Sequence, residues 1–134
     1  VLINEYAPGE GIMPHTDGPL YTPQVATISL GDPAYFHMTP RRGEAGVLAG
    51  TSAPMQGGVA GAVGGDASTL VVLQGSLVVF SEEAYTRWEH SVLETLDVRV
   101  SEHTANLPQL GAQTAGQSMQ RKHTRVSLTL RHVP

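Results

Sequence analysis

Apolar side chains in this sequence come in short runs, several of them alternating with polar ones. The runs fall at 1–6, 25–30, 34–38, 69–73, 76–80, 90–93 and 124–131. Turn signals separate them: Pro8-Gly9, Gly18-Pro19, Gly31-Asp32-Pro33 and Gln74-Gly75. No segment sustains the 3.6-residue period of a helix. The pattern predicts an all-β (mainly β) domain, a sandwich or barrel of antiparallel strands, with one helical turn over residues 81–88. Two stretches stand apart. Residues 43–68 are rich in Gly, Ala and Ser, and residues 101–120 are similar with added Gln and Thr. Neither holds enough large apolar surface to offset the entropy of ordering it, so both are predicted to be mobile, low-complexity loops.

The last run has an unusual face. In Arg125-Val126-Ser127-Leu128-Thr129-Leu130-Arg131 the odd positions are Arg, Ser, Thr and Arg, and the even ones are apolar. Two arginines on one strand face fit either a solvated exterior or the wall of an anion pocket. A dicarboxylate favours Arg over Lys, because a planar guanidinium can donate two parallel hydrogen bonds. If the polar face lines a pocket, Val126, Leu128 and Leu130 need a cover. We expect that cover from helices preceding Val1, because the chain opens without Met on residues that already read as a strand. Residues 1–134 are therefore expected to be the core of a longer protein, lacking an N-terminal lid and supporting helices.

Composition narrows the chemistry. There are no cysteines, which excludes disulfides and Cys-ligated zinc or iron–sulfur sites. No stretch approaches the roughly 20 apolar residues of a membrane span. The formal net charge is −4, so charge alone does not predict tight nucleic-acid binding.

Histidines and carboxylates carry the remaining signal. His15-Thr16-Asp17 supplies a His-x-Asp pair, and residues two apart on a strand share a face. A second histidine from a distant strand would complete the two-His-one-carboxylate triad of non-haem Fe(II) oxygenases, which leaves half the coordination sphere open. His90, after the run Leu77-Val78-Val79-Phe80, can supply it. A short motif is weak alone: at this composition roughly one chain in five holds His-x-Asp by chance. His15 read singly is an ordinary surface or hydrogen-bonded histidine and His90, near Trp88, a satisfied core one. His37, His103, His123 and His132 are given structural readings.

In combination the motifs say more. Asn4-x-Tyr6, Pro8-Gly9, His15-x-Asp17, His90 and Arg125-x-Ser127 with Arg131 resemble, in order and spacing, the AlkB family of 2-oxoglutarate-dependent oxygenases. The wording is most similar to its homologue 6 subgroup in Gly11-Ile12-Met13-Pro14-His15, Asp17-Gly18-Pro19-Leu20-Tyr21, Thr27-Ile28-Ser29-Leu30-Gly31, Pro40-Arg41-Arg42, Tyr85-Thr86-Arg87 and Thr124–Thr129. The resemblance covers nearly every predicted strand and fades in the two loops. It implies a double-stranded β-helix, or jelly roll. It also implies that His15, Asp17 and His90 hold Fe(II), and that Arg125 pairs with the distal carboxylate of 2-oxoglutarate beside Tyr6 and Ser127. Asn4 and Arg131 would contact the chelating end of that cosubstrate. The chain departs from the family pattern at Ser127, where bacterial members carry Asn, and at Ser91, where Gly is usual. Trp88 and Glu89 also differ.

The implied reaction consumes O2 and 2-oxoglutarate and hydroxylates a C–H bond; on an N-methyl group this ends in demethylation. The expected partner is single-stranded or flipped-out methylated nucleic acid. Tyr21, Tyr35, Phe36 and Trp88 are candidates to stack a base, and Arg41, Arg42, Arg121 and Lys122 to meet phosphates, each against an ordinary packing or solvated role. Two alternatives share the site: a jelly-roll oxygenase that hydroxylates a protein, and a nucleic-acid-binding protein of low turnover. A cupin-like metal protein would not need Arg125 and Arg131. A monomer located in nucleus or cytoplasm is expected.

Overall fold

The computed structural model describes residues 1–41 and 67–134. They form β1 (Leu2–Tyr6), β2 (Ile12–His15), β3 (Gln24–Gly31), β4 (Ala34–Pro40), β5 (Ser68–Val72), β6 (Leu77–Ser81), α1 (Glu82–Thr86), β7 (Trp88–Val92), β8 (Asp97–Arg99), α2 (Leu107–Leu110), β9 (Ser118–Gln120) and β10 (Arg125–Arg131). Two antiparallel four-stranded sheets run in the orders β1-β10-β3-β6 and β2-β7-β4-β5, and β8 pairs with β9. Their facing sides share one core. Tyr6, Val25 and Phe80 of the first sheet cluster with Phe36, Met38, Val72 and Val92 of the second, joined by Ala84 and Tyr85 of α1. The fold is mainly β, as expected, and has the two-sheet build of a jelly roll. Each of the seven apolar runs holds one strand, and α1 is the expected helical turn.

The first sheet is inverted relative to an ordinary sandwich. Arg125, Ser127 and Thr129 of β10 and Thr27 and Ser29 of β3 are buried on its inner side. Register aligns Ser127 with Ser29 and Thr129 with Thr27. The outer side is apolar: Ile3, Leu128, Ile28 and Leu77 form one row across all four strands. Ile3 and Leu77 are more than half exposed. A polar interior is costly unless its groups find partners, so this inner face marks a place built for polar contacts.

The 101–120 stretch is not the featureless loop that its composition suggests. Leu107, Leu110 and Met119 pack on Val71, Val98 and Val100 in a second apolar cluster behind β4 and β5. Asn106 clasps edge strand β5: its Oδ1 accepts from the Val71 N–H at 2.9 Å and its Nδ2 donates to the Val71 carbonyl at 2.8 Å. Such contacts satisfy an edge that would otherwise present unpaired backbone groups. A handful of well-placed anchors suffices to order this segment. The other expected loop, 43–68, lies outside the described residues up to position 66, as does Arg42; Ser68 begins β5.

One glycine is required for the geometry of the site. Gly31, at φ +81°, pairs with Arg125, and a Cβ there would stand 2.5 Å from the Thr124 carbonyl oxygen. Among the described residues no helix is long and apolar enough to cross a membrane.

Candidate active site

The two histidines meet because of strand pairing. β2 runs antiparallel to β7, with His15 opposite His90. Between Ile12 and His15 the register slips, a bulge that re-aims the end of β2. The imidazole centroids are 4.3 Å apart. Phe36 stacks on His90 at 5.5 Å and Phe80 tilts against it at 4.9 Å, so the ring is gripped by apolar walls. Burial, with His15 and Arg131 nearby, pushes the His90 pKa down to about 4, which keeps the imidazole neutral at physiological pH. On His15, Nδ1 donates to the Met13 carbonyl at 2.9 Å, taking that ring nitrogen and leaving Nε2 free to bind a metal.

Asp17 arrives differently from the expectation. β2 ends at His15, so Asp17 does not share a strand face with it; a turn through Gly18 (φ +85°) delivers the carboxylate. Its side chain is fully buried and stands 3.8 Å from His90 Nε2. Arg131 forms an ion pair with Oδ1. Beyond that pair neither carboxylate oxygen has a hydrogen-bond partner among the described residues. Burial raises the Asp17 pKa, with Arg131 and then His15 opposing the rise. One ligand atom from each of His15, Asp17 and His90 lies within 4.8 Å of the others. Two imidazole nitrogens and a carboxylate with unused lone pairs fit a divalent first-row metal.

Behind the triad lies a cavity of about 290 Å³. Asn4, Tyr6, His15, Asp17, His90, Arg125, Ser127 and Arg131 all line it, so every candidate iron and cosubstrate residue comes to one place. Arg125 is 1% exposed, and its guanidinium sits 5.2 Å from the centre of the Tyr6 ring. Nη2 donates to the Ser29 hydroxyl at 3.0 Å, whereas Nε and Nη1 find no hydrogen-bond partner among the described residues. Burial lowers the Arg125 pKa while the Tyr6 hydroxyl works against it. A buried cation with idle donors fits a carboxylate ligand.

Sequence reasoning missed Ser29 and Thr27, which sit beside Ser127 and Thr129 on the inner face. The polar alternation in Thr27-x-Ser29 is the signal that could have found them, since it repeats the pattern of β10. Several other candidates have structural roles. Arg121 is not a phosphate contact: it is 2% exposed and donates to the carbonyls of Thr95 (3.0 Å), Ala7 (3.4 Å) and Leu93 (3.5 Å). Arg41 donates to the Thr86 carbonyl. Lys122 is exposed. Tyr35 bonds Arg99 through its hydroxyl, Phe36 belongs to the core, and Trp88 packs against it. Tyr21 is half-buried, its ring 5.2 Å from the Arg131 guanidinium. His37 bonds Thr69, His132 bonds Thr22, His103 pairs with Glu102 and His123 with Asp32, in line with structural readings.

A sequence model of the 2OG-Fe(II) oxygenase superfamily matches residues 1–131. The chain is 38% identical over 144 aligned positions to a protein of Danio rerio named probable RNA/DNA demethylase ALKBH6. That alignment takes in all of this chain and 53% of the relative, so the chain spans about half the relative's length.

Proposed function

The chain belongs to the 2OG-Fe(II) oxygenase superfamily, and from that premise we propose that it is the catalytic core of an AlkB-type dioxygenase that oxidatively demethylates N-alkylated nucleic-acid bases. Membership implies Fe(II), 2-oxoglutarate and O2. One observation carries the assignment: a His-Asp-His cluster and a buried arginine with idle donors face the same cavity. When bound, the metal and cosubstrate supply O2 activation coupled to decarboxylation of 2-oxoglutarate to succinate.

The chain's own residues prepare that chemistry. His15, Asp17 and His90 would hold the metal; burial keeps the His90 imidazole neutral and works against ionisation of Asp17. The ion pair with Arg131 opposes that effect on Asp17 and fixes the carboxylate. Arg125 takes the distal carboxylate of the cosubstrate, with Tyr6 over its guanidinium and Ser127 beside it. Asn4 and Arg131 line the same cavity and would contact the cosubstrate's keto-acid end. Ile12, Phe36 and Val92 give the cavity dry walls, which strengthen each polar contact. The net reaction converts N–CH3, O2 and 2-oxoglutarate to N–CH2OH, succinate and CO2. The hemiaminal then releases formaldehyde and the free amine.

The nucleic-acid substrate rests on the name given to the zebrafish relative and on the motif resemblance. Succinate release by the intact protein tests it. Release should rise severalfold with methylated single-stranded oligonucleotides and stay at background with unmethylated ones. Stimulation by peptides alone would instead identify a protein hydroxylase. Single-strand binding with succinate at background throughout would identify a binding protein.

A further inference from the structure

Asp17 is a ligand on a loop, and the loop has few anchors of its own. Between the end of β2 at His15 and the start of β3 at Gln24 the chain has no regular structure. What fixes it comes from α1 and from the end of β10. The Glu82 N–H donates to the Pro23 carbonyl at 3.0 Å, and the Thr22 N–H donates to the His132 carbonyl at 2.9 Å. Both hold the far end of the loop, several residues from Asp17. Close to Asp17, the Tyr85 hydroxyl donates to the carbonyl of Gly18, the next residue. Tyr85 is 8% exposed and part of the central core, so its ring cannot drift. Five residues after it, on β7, comes His90.

We propose that Tyr85 is a positioning residue for the metal centre, its hydroxyl locking the Asp17 loop to the helix that leads into the His90 strand. The inference rests on the iron-site reading above. Asp17 and His90 come from separate elements that share no ladder, since β2 pairs with β7 only as far as His15. Tyr85 supplies the missing tie. Arg131 also holds the Asp17 carboxylate, but it acts from the other sheet and does not set the loop against β7. Tyr85 touches neither substrate nor metal; it acts through the Gly18 backbone. Loss of a partner that orients a metal ligand typically costs 10- to 100-fold in metal affinity.

The test is anaerobic titration of the intact, metal-free protein with Co(II), read by its visible d–d absorption, in wild type, Tyr85→Phe and Tyr35→Phe. Tyr35 is a matched control, because its hydroxyl also bonds backbone, at Arg99, but lies away from the cavity. Tyr85→Phe should weaken Co(II) binding about tenfold and speed amide hydrogen exchange at residues 16–20. Tyr35→Phe should stay within twofold of wild type. Equal affinity in Tyr85→Phe, an equal loss in both variants, or a Tyr85→Phe protein that does not fold would each overturn the positioning role. A wild-type protein that gives no Co(II) band would instead overturn the triad itself.

Discussion

Replacing Arg125 separates a binding role from a structural one. Arg125→Lys keeps the positive charge but loses the planar fork. Its head group cannot serve the Ser29 hydroxyl and both oxygens of a carboxylate at once. A hydrogen bond to a charged partner contributes about 1.5–3 kcal/mol, so losing one should weaken 2-oxoglutarate binding roughly 10- to 100-fold. Metal affinity should stay near wild type, since Arg125 is not among the three residues of the metal cluster. Arg125→Met goes further. Nε and Nη1 are buried with no hydrogen-bond partner among the described residues, a cost to the fold. Removing that charge should raise stability by about 1 kcal/mol or more while abolishing cosubstrate binding. Titration calorimetry of the Mn(II)-loaded protein with 2-oxoglutarate measures the first effect, and urea unfolding without cosubstrate the second. An Arg125→Lys protein that binds as well as wild type, or an Arg125→Met protein that loses stability, would show that this guanidinium holds the fold and not a ligand.

Two further predictions follow from the same geometry. The unfolded His90 imidazole takes its proton near 6.5, whereas the folded one does so only near 4. The His90 contribution to stability of the metal-free protein should therefore be constant above pH 6.5 and fall by about 3 kcal/mol between pH 6.5 and 4; the difference in urea unfolding between wild type and His90→Gln across that range isolates it from His37 and Asp17, which also shift. Gly31→Ala forces a Cβ into a left-handed position and against the Thr124 carbonyl. It should cost about 2–4 kcal/mol in unfolding and weaken cosubstrate binding with it, because Arg125 sits opposite.

How far the sequence foretold this arrangement differs from element to element. β10 is legible because its polar and apolar positions alternate over seven residues, but alternation alone leaves open whether the polar face is exterior or pocket wall. β3 carries the same signal in Thr27 and Ser29 but is masked by the apolar residues on either side. The meeting of His15 and His90 follows from pairing across distant strands, which no local pattern encodes. The bulge in β2 is likewise invisible, whereas Gly18-Pro19 does signal the turn beside Asp17; the three residues cluster, but not through the expected shared strand face. β8 and β9, at three residues each, are too short to show alternation. Arg121 reads as a surface cation because burial of a guanidinium depends on carbonyls supplied by three separate segments.

The account turns on whether His15, Asp17 and His90 share one metal. The most direct measurement is the visible charge-transfer band of the intact protein given Fe(II) and 2-oxoglutarate without oxygen. We predict a band in wild type that disappears in His15→Ala, Asp17→Ala and His90→Ala, with each variant still folded by circular dichroism. A band that survives any one of these substitutions unchanged would contradict the shared site.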